Sequence, residues 1–394
     1  MSEDKPVALR LEIVARWGKA RATLLHLPHA ICETPMFMPV GTQGTIKGLT
    51  SEQVEDVHCN LILGNTYHLG HRPGPEVMKE LGGLHQLMNW KRNLLTDSGG
   101  FQMVSLLQLA NITEQGVVFR SPHDGSEMVL TPEMSMQIQN CIGADIMMAL
   151  DDVVSTVTTG PRVEEAMHRT LRWIDRCVEA HKRPHEQNLF GIVQGGLDMD
   201  LRSQCLKGLV ERDLPGYAIG GLSGGESKHH FWRVVDKCAA ELPENKPRYL
   251  MGVGYSLDLL VCSCLGVDMF DCVYPSRTAR FGVALVKTGT LILKHREFSK
   301  DFRPLDDECQ CMACRNYTRA YLHSLVVQKE QLAGQLLTAH NLTYQMDLMR
   351  GIRNSIIEGN LDRFAQKFID LQFPNGDCPS WARDALKSAG IDIQ

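Results

Sequence analysis

Eight short apolar runs, each ending in glycine or a polar residue and each followed by an amphipathic stretch, predict an α/β chain folded as a (β/α)8 TIM barrel with a further subdomain towards its C-terminus. Three observations carry this. The eight units occupy roughly 250 residues, the usual size of such a barrel. Polar groups gather at the run ends while the run interiors stay apolar, as expected where eight loop tips converge on one face. After position 281 the rhythm stops. A doubly wound open sheet is the alternative arrangement of the same units.

Residues 1–35 carry short alternating segments, 9–14 and 21–27, separated by Gly18 and Pro28. These read as strands closing one end of the barrel, which spans 36–280. The eight runs are 37–40, 61–63, 94–95, 146–150, 189–193, 217–219, 249–251 and 269–270. Helix starts stand between them: Thr50-Ser51-Glu52-Gln53, Thr131-Pro132-Glu133, and Pro161-Arg162-Val163-Glu164-Glu165 with an amphipathic continuation to His181. Beyond the barrel, 283–286 and 291–294 flank a Lys287-Thr288-Gly289-Thr290 turn and predict a hairpin. Helices are expected over 317–337, 342–358 and 361–371. The domain reading is therefore 281–350 for the hairpin and a cysteine-bearing subdomain, and 351–394 for C-terminal helices packing on the barrel.

The 394 residues are 43% hydrophobic and 22% charged with a net charge of −5, so any nucleic-acid contact requires a local basic patch. The acidic start Met1-Ser2-Glu3-Asp4 lacks the apolar core of a signal peptide, and no apolar run reaches the ~20 residues of a bilayer span. Most of the thirteen cysteines stand singly in apolar stretches, which suits buried thiols in a reducing compartment.

Cys309, Cys311 and Cys314 differ. Their C-x-C-x-x-C spacing, with His323 and His340 within reach, suits a closed tetrahedral Zn²⁺ site, one structural zinc per chain with no open position for catalysis. Spacing leaves the histidine open, although a loop or helix-start position favours His340.

Asp97 and Asp271 end the third and eighth runs. Two carboxylates across one mouth can divide nucleophilic and proton-transfer work at a sugar C1; the structural alternative makes each a helix cap. Asp151, Asp152, Gln194 and the backbone of Gly220-Gly221-Leu222 offer the acceptors and donors that read a purine edge, and Phe101 and Met251 can cover its faces. Arg277, Arg280, Lys287, Lys294 and Arg296 form a basic strip beside Asp271, suited to phosphates. No Lys-Ser/Thr follows the glycine-rich 220–225 segment in P-loop register, and Asp97-Ser98-Gly99-Gly100 is not a serine-nucleophile elbow.

Asp97-Ser98-Gly99-Gly100-Phe101-Gln102, Gln194-Gly195-Gly196, Gly220-Gly221-Leu222, Met251-Gly252-Val253-Gly254, Asp268-Met269-Phe270-Asp271-Cys272-Val273, Arg277-Thr278-Ala279-Arg280 and the cysteine cluster together resemble the tRNA-guanine transglycosylases. The likeness runs from about Pro35 to His340 and includes Gly64-Asn65-Thr66-Tyr67-His68-Leu69. It implies that Asp271 attacks C1′ of the wobble guanosine, position 34 of a G-U-N anticodon, through a covalent intermediate, and that Asp97 serves as general acid/base. It further implies that Asp97, Ser98, Gly99, Gly100, Phe101, Asp151, Gln194, Gly221, Leu222 and Met251 bind the base. The segments Gly252, Val253, Gly254, Tyr255, Ser256, Leu257, Asp258 and Ser276, Arg277, Thr278, Ala279, Arg280 would contact RNA. The family's Cys3His ligand set selects His340.

Val153 stands where bacterial members carry cysteine, and Gly224 where they carry valine. This resembles the eukaryotic catalytic type, which inserts the larger base queuine, pairs with a homologous non-catalytic subunit in a heterodimer, and is cytoplasmic with peripheral association to the mitochondrial outer membrane. Two rival readings are the non-catalytic partner itself and a carbohydrate-cleaving barrel. The presence of both Asp97 and Asp271 opposes the first, and the 6% aromatic content opposes the second.

Overall fold

The computed structural model describes residues 8–100, 111–120 and 127–394. It opens with an antiparallel sheet of β1 (Arg10–Trp17), β2 (Ala20–His26) and β3 (Ile31–Thr34), the last of which the sequence reading did not separate. Then β4 (Met36–Gly41), β5 (Leu61–Gly64) and β6 (Asn93–Thr96) begin the barrel. A small antiparallel sheet, β7 (Asn111–Ile112), β8 (Val117–Arg120) and β9 (Glu127–Leu130), follows β6 and also went unread. The barrel resumes with β10 (Ile146–Met148), β11 (Asn188–Val193), β12 (Gly216–Ile219), β13 (Arg248–Leu250) and β14 (Met269–Cys272). β14 pairs with β4 in parallel and β10 with β6, so the eight expected strands close on themselves.

The pleat decides what each strand residue faces, because successive side chains alternate. Met36, Met38, Leu61, Leu63, Leu95, Ile146, Met148, Phe190, Ile192, Ala218, Tyr249 and Met269 pack together inside the barrel. The alternate residues, such as Phe37, Ile62, Leu94, Met147 and Phe270, belong to a second core shared with the surrounding helices. Leu9, Leu25, Leu27 and Cys32 join the interior cluster, so the N-terminal sheet plugs the end of the barrel where its strands begin. Arg21 locks that plug. It is fully buried, contacts Asp268 at 2.5 and 2.8 Å, and also donates to the carbonyls of Glu244 and Lys246.

The helix starts follow their sequence signals. Thr50 and Gln53 form a reciprocal capping box, Thr131 caps Pro132–Ile142, and Pro161 opens Pro161–Ala180. The hairpin β15 (Val283–Val286) and β16 (Gly289–Ile292) turns over two residues, tighter than the expected 287–290 turn.

The largest departure lies further on. Arg319–Val327 ends before Lys329, and Gln331–Ile357 is one 27-residue helix where the sequence suggested a break near 338–341. Thr338, His340 and Asn341 interrupt the apolar pattern there, yet all three are buried with tertiary or backbone partners inside the helix. The same helix runs unbroken through position 350, so the cysteine-bearing segment and the C-terminal segment share it. Leu361–Gln372 and a further helix, Ser380–Ser388, complete the chain. No described helix is long and apolar enough to cross a membrane.

Candidate active site and metal centre

The site follows from the pleat. One inward position beyond the core, Leu95 gives way to Asp97, Ile192 to Gln194, Tyr249 to Met251 and Met269 to Asp271. The same alternation that fills the barrel therefore carries four polar or soft side chains to the rim where the strands end.

Asp271 is partly exposed at the mouth. Its Oδ1 accepts from the Tyr249 hydroxyl at 2.5 Å and from the Gly252 N–H at 2.8 Å. Burial pushes its carboxyl above the ordinary value, and these two donors pull it back. Asp97 is held from both sides: Oδ1 accepts from the N–H groups of Thr66 (2.9 Å) and Gly99 (3.2 Å), and Oδ2 from the Asn65 amide at 2.6 Å. The Tyr249 hydroxyl is raised well above its usual range first by burial, then by the charge and hydrogen bond of Asp271, with the charge of Asp97 adding to it. Asn65, Thr66 and Tyr249 were not assigned roles from sequence. Their signal was position, two at the end of β5 and one a hydroxyl inside an otherwise apolar barrel.

The residues expected to read the base form a second cluster. Asp151 accepts from Gln194 Nε2 at 2.7 Å and from Ser98 Oγ at 3.4 Å. Burial lifts its carboxyl to about 6, with the Asp152 charge adding to the shift and the Gln194 and Ser98 bonds opposing it. Asp152 serves differently from its neighbour: it is fully buried and gripped by Arg162 and Arg169. Gly221 has φ +66°, and a Cβ there would collide with Gln194 Oε1, so the backbone meets the amide directly. Leu222, Met251 and Val153 are half-buried. Phe101, expected to stack on the base, lies outside the described residues.

Gly224 is exposed, but the direction a side chain would take is filled. A Cβ would stand 2.8 Å from Thr156 Cγ2, so the glycine lets the loop after β12 press against the loop after β10.

Of the expected RNA segments, Tyr255, Arg277 and Arg280 are exposed, with Ser256, Leu257, Ser276 and Thr278 half-buried. Val253 and Ala279 are buried, and Asp258 is buried against Lys228 at 2.5 Å. Arg280 and Lys294 line a cavity of about 780 Å³ together with Lys47 and Lys329, two cations not singled out from sequence. Lys287 is instead paired with Glu308.

Cys309, Cys311, Cys314 and His340 come together. His340 Nδ1 lies 3.6, 3.5 and 3.3 Å from the three sulfurs, and its Nε2 donates to the Leu285 carbonyl at 2.8 Å, which leaves Nδ1 as the ligand atom. A tetrahedral ion with ordinary Zn–S and Zn–N bonds sets a sulfur–nitrogen edge of about 3.5 Å. The donor set and its spacing thus fit zinc. His323 is engaged elsewhere, on the Leu293 carbonyl at 2.7 Å. His340 sits inside the long helix, contrary to the loop position expected, and reaches the cysteines because Cys311 starts the short helix Met312–Asn316 against it.

A family model described as queuine tRNA-ribosyltransferase matches residues 17–374. The chain belongs to this family. It is 53% identical to the queuine tRNA-ribosyltransferase catalytic subunit of Schizosaccharomyces pombe, covering 98% of each chain. It is 52% identical to that of Caenorhabditis elegans, over 98% of this chain and all of the relative. To the queuine tRNA-ribosyltransferase of Staphylococcus aureus it is 49% identical, over 91% of this chain and 95% of the relative. The eight-stranded parallel barrel and the Cys3His cluster are the family's architecture in this chain.

Proposed function

We propose that the protein is a pentosyltransferase that replaces guanine at wobble position 34 of G-U-N-anticodon tRNAs with queuine. What carries this is the chain's membership of the queuine tRNA-ribosyltransferase family, supported by Asp271 and Asp97 standing at the ends of two barrel strands and by the contact of Asp151 with Gln194 beside Gly221. Asp271 attacks C1′ of the ribose, and the C1′–N9 bond breaks with its electron pair on guanine. Among the described residues both hydrogen bonds to Asp271 go to Oδ1, so Oδ2 is the attacking oxygen. Asp97 delivers the proton that the departing N9 needs and takes one from N9–H of the incoming base, whose attack on C1′ releases Asp271. Asp151 accepts from the ring N–H and exocyclic amine of guanine, while the Gly221 N–H and Gln194 amide address its oxygen.

Arg277, Arg280, Lys294, Lys47 and Lys329 would hold the RNA backbone on the side of Asp271. Cys309, Cys311, Cys314 and His340 would hold one structural zinc, which when bound supplies a crosslink and no chemistry. That crosslink matters to the site through Asn341, one residue from His340, which donates to the carbonyls of Pro275 and Val283 at 3.0 Å, and through Gln345, which donates to that of Gly254 at 2.6 Å. A heterodimer with a homologous non-catalytic subunit follows from the resemblance, and the eukaryotic relatives' description as catalytic subunits supports it. A cytoplasmic location with peripheral association to the mitochondrial outer membrane follows from the resemblance alone, and the ten cysteines outside the metal cluster, none in a disulfide, suit a reducing compartment. The test is exchange of labelled guanine into tRNA by the protein with its partner. Incorporation confined to G-U-N anticodons supports the reading, and equal incorporation into other anticodons refutes it.

A further inference from the structure

Arg202 lies on the helix Met199–Val210 with no exposed surface, behind the ends of β11 and β12. Its Nε donates to the Gly196 carbonyl at 2.9 Å, and one terminal nitrogen donates to the carbonyls of Val193 at 2.7 Å and Gly220 at 2.8 Å. These oxygens belong to the residues immediately before Gln194 and Gly221, and to the turn that follows Gln194. All of its hydrogen bonds among the described residues go to carbonyls. Glu226, the carboxylate whose charge reaches it, is occupied by the N–H groups of Ser223 at 2.6 Å and Gly224 at 2.9 Å.

Two buried atoms here have no hydrogen-bond partner among the described residues: the second terminal nitrogen of Arg202 and Gln194 Oε1. Both lie against one point. A Cβ on Gly221 would strike the Gln194 oxygen and stand 3.4 Å from that Arg202 nitrogen. A guanidinium stays protonated in proteins, and burying it on carbonyl dipoles alone is strongly unfavourable. A fold stabilised only by packing would gain from an apolar residue at this place.

We propose that Arg202 is a positioning residue for base exchange, fixing the Gln194 amide and the Gly221 N–H against the oxygen-bearing edge of guanine and keeping a positive charge behind that edge as the base departs. This rests on the reading of Asp151, Gln194 and Gly221 as the base pocket. The chemistry needs such a charge at one moment. When the C1′–N9 bond breaks, its electron pair stays on guanine and spreads through the ring to O6, and until Asp97 protonates N9 the base is an anion. A fixed cation in a dry wall stabilises that anion more than it stabilises neutral guanine, so it speeds bond breaking and not merely binding.

The test is single-turnover release of the base from position 34, measured for tRNA carrying guanine and for tRNA carrying 8-azaguanine, whose N9–H is more acidic. Wild type, Arg202→Gln and Arg202→Lys are compared by the ratio of the two rates within each sample, so any unfolded fraction cancels. The neutral variant is expected to slow guanine release by about ten- to a hundredfold and 8-azaguanine release by much less, since the better leaving group needs less help. Arg202→Lys, which keeps the charge, holds the wild-type ratio. Equal slowing of both bases by Arg202→Gln, the signature of a merely structural residue, overturns the proposal. Should Arg202→Gln not fold, the neutral Arg202→Met, which the packing at this place favours, is read the same way: slowing of guanine release beyond that of 8-azaguanine supports the proposal and equal slowing overturns it. A wild type that releases neither base refutes the base-exchange reading itself and not this inference.

Discussion

Replacing Tyr249 by phenylalanine removes one hydroxyl from a fully buried ring and leaves its volume almost unchanged. That hydroxyl donates to Asp271 Oδ1 at 2.5 Å, and the Gly252 N–H at 2.8 Å is the other donor to the same oxygen. A hydrogen bond to a charged group contributes about 1.5–3 kcal/mol, which at 1.4 kcal/mol per decade is about ten- to a hundredfold in the fraction of Asp271 ionised. The direction is fixed by the environment. Burial already raises the Asp271 carboxyl and the tyrosine opposes that rise, so its loss raises it further. Since the carboxylate is the attacking form, adduct formation falls by that factor at acidic pH, where Asp271 is mostly protonated, and recovers towards the wild-type plateau as pH rises. The assay is single-turnover adduct formation across pH, with the acid limb of the variant displaced to higher pH. A uniform loss at every pH, or a limb displaced to lower pH, refutes the reasoning.

Asp151→Asn separates stability from function. A folded carboxyl raised to about 6 by burial is a cost to folding that is absent below its unfolded value and complete above about pH 6. The asparagine variant is therefore expected to melt higher at pH 7, by an amount on the order of 2–3 kcal/mol at most, and to lose the pH dependence of stability between about 4 and 6. In wild type the KM for free guanine rises as pH falls through about 6, whereas the variant binds guanine poorly at all pH, checked by thermal unfolding and steady-state exchange. Gly224→Val forces a side chain against Thr156 and is expected to lower queuine incorporation more than guanine exchange, read from the ratio of their kcat/KM values. Cys311→Ser, or chelation, removes the metal crosslink. Because Asn341 and Gln345 hold the carbonyls of Pro275, Val283 and Gly254, hydrogen-exchange protection falls across 252–293 and the KM for tRNA rises, while the barrel strands far from the site stay protected.

The barrel was legible because its strands are buried on both faces and stand out as short apolar runs between amphipathic helices. The site was legible for the same reason: Asp97, Gln194 and Asp271 are polar where the inward pleat runs out of core. What periodicity could not show was tertiary compensation. Thr338, His340 and Asn341 look like a helix break until the Gly334 carbonyl is seen to satisfy the first and the Leu285 backbone and the cysteine cluster the other two. The strands β1 and β2 were readable from their alternation, whereas β3 and the sheet β7–β9 depend on pairings between short strands that carry little pattern of their own. Gly224 shows the converse: its residue type was readable, yet only the structure tells that a side chain there would meet Thr156.

The central claim is that Asp271 bonds to the ribose of position 34. Protein, partner and G-U-N tRNA are mixed with a base analogue that cannot complete exchange, then run on a denaturing gel. A tRNA-sized shift of this chain that disappears in Asp271→Ala and persists in Asp271→Glu or wild type at lower yield is the result predicted. An undiminished shift in Asp271→Ala, or full base exchange by wild type with no adduct under any quench, contradicts it.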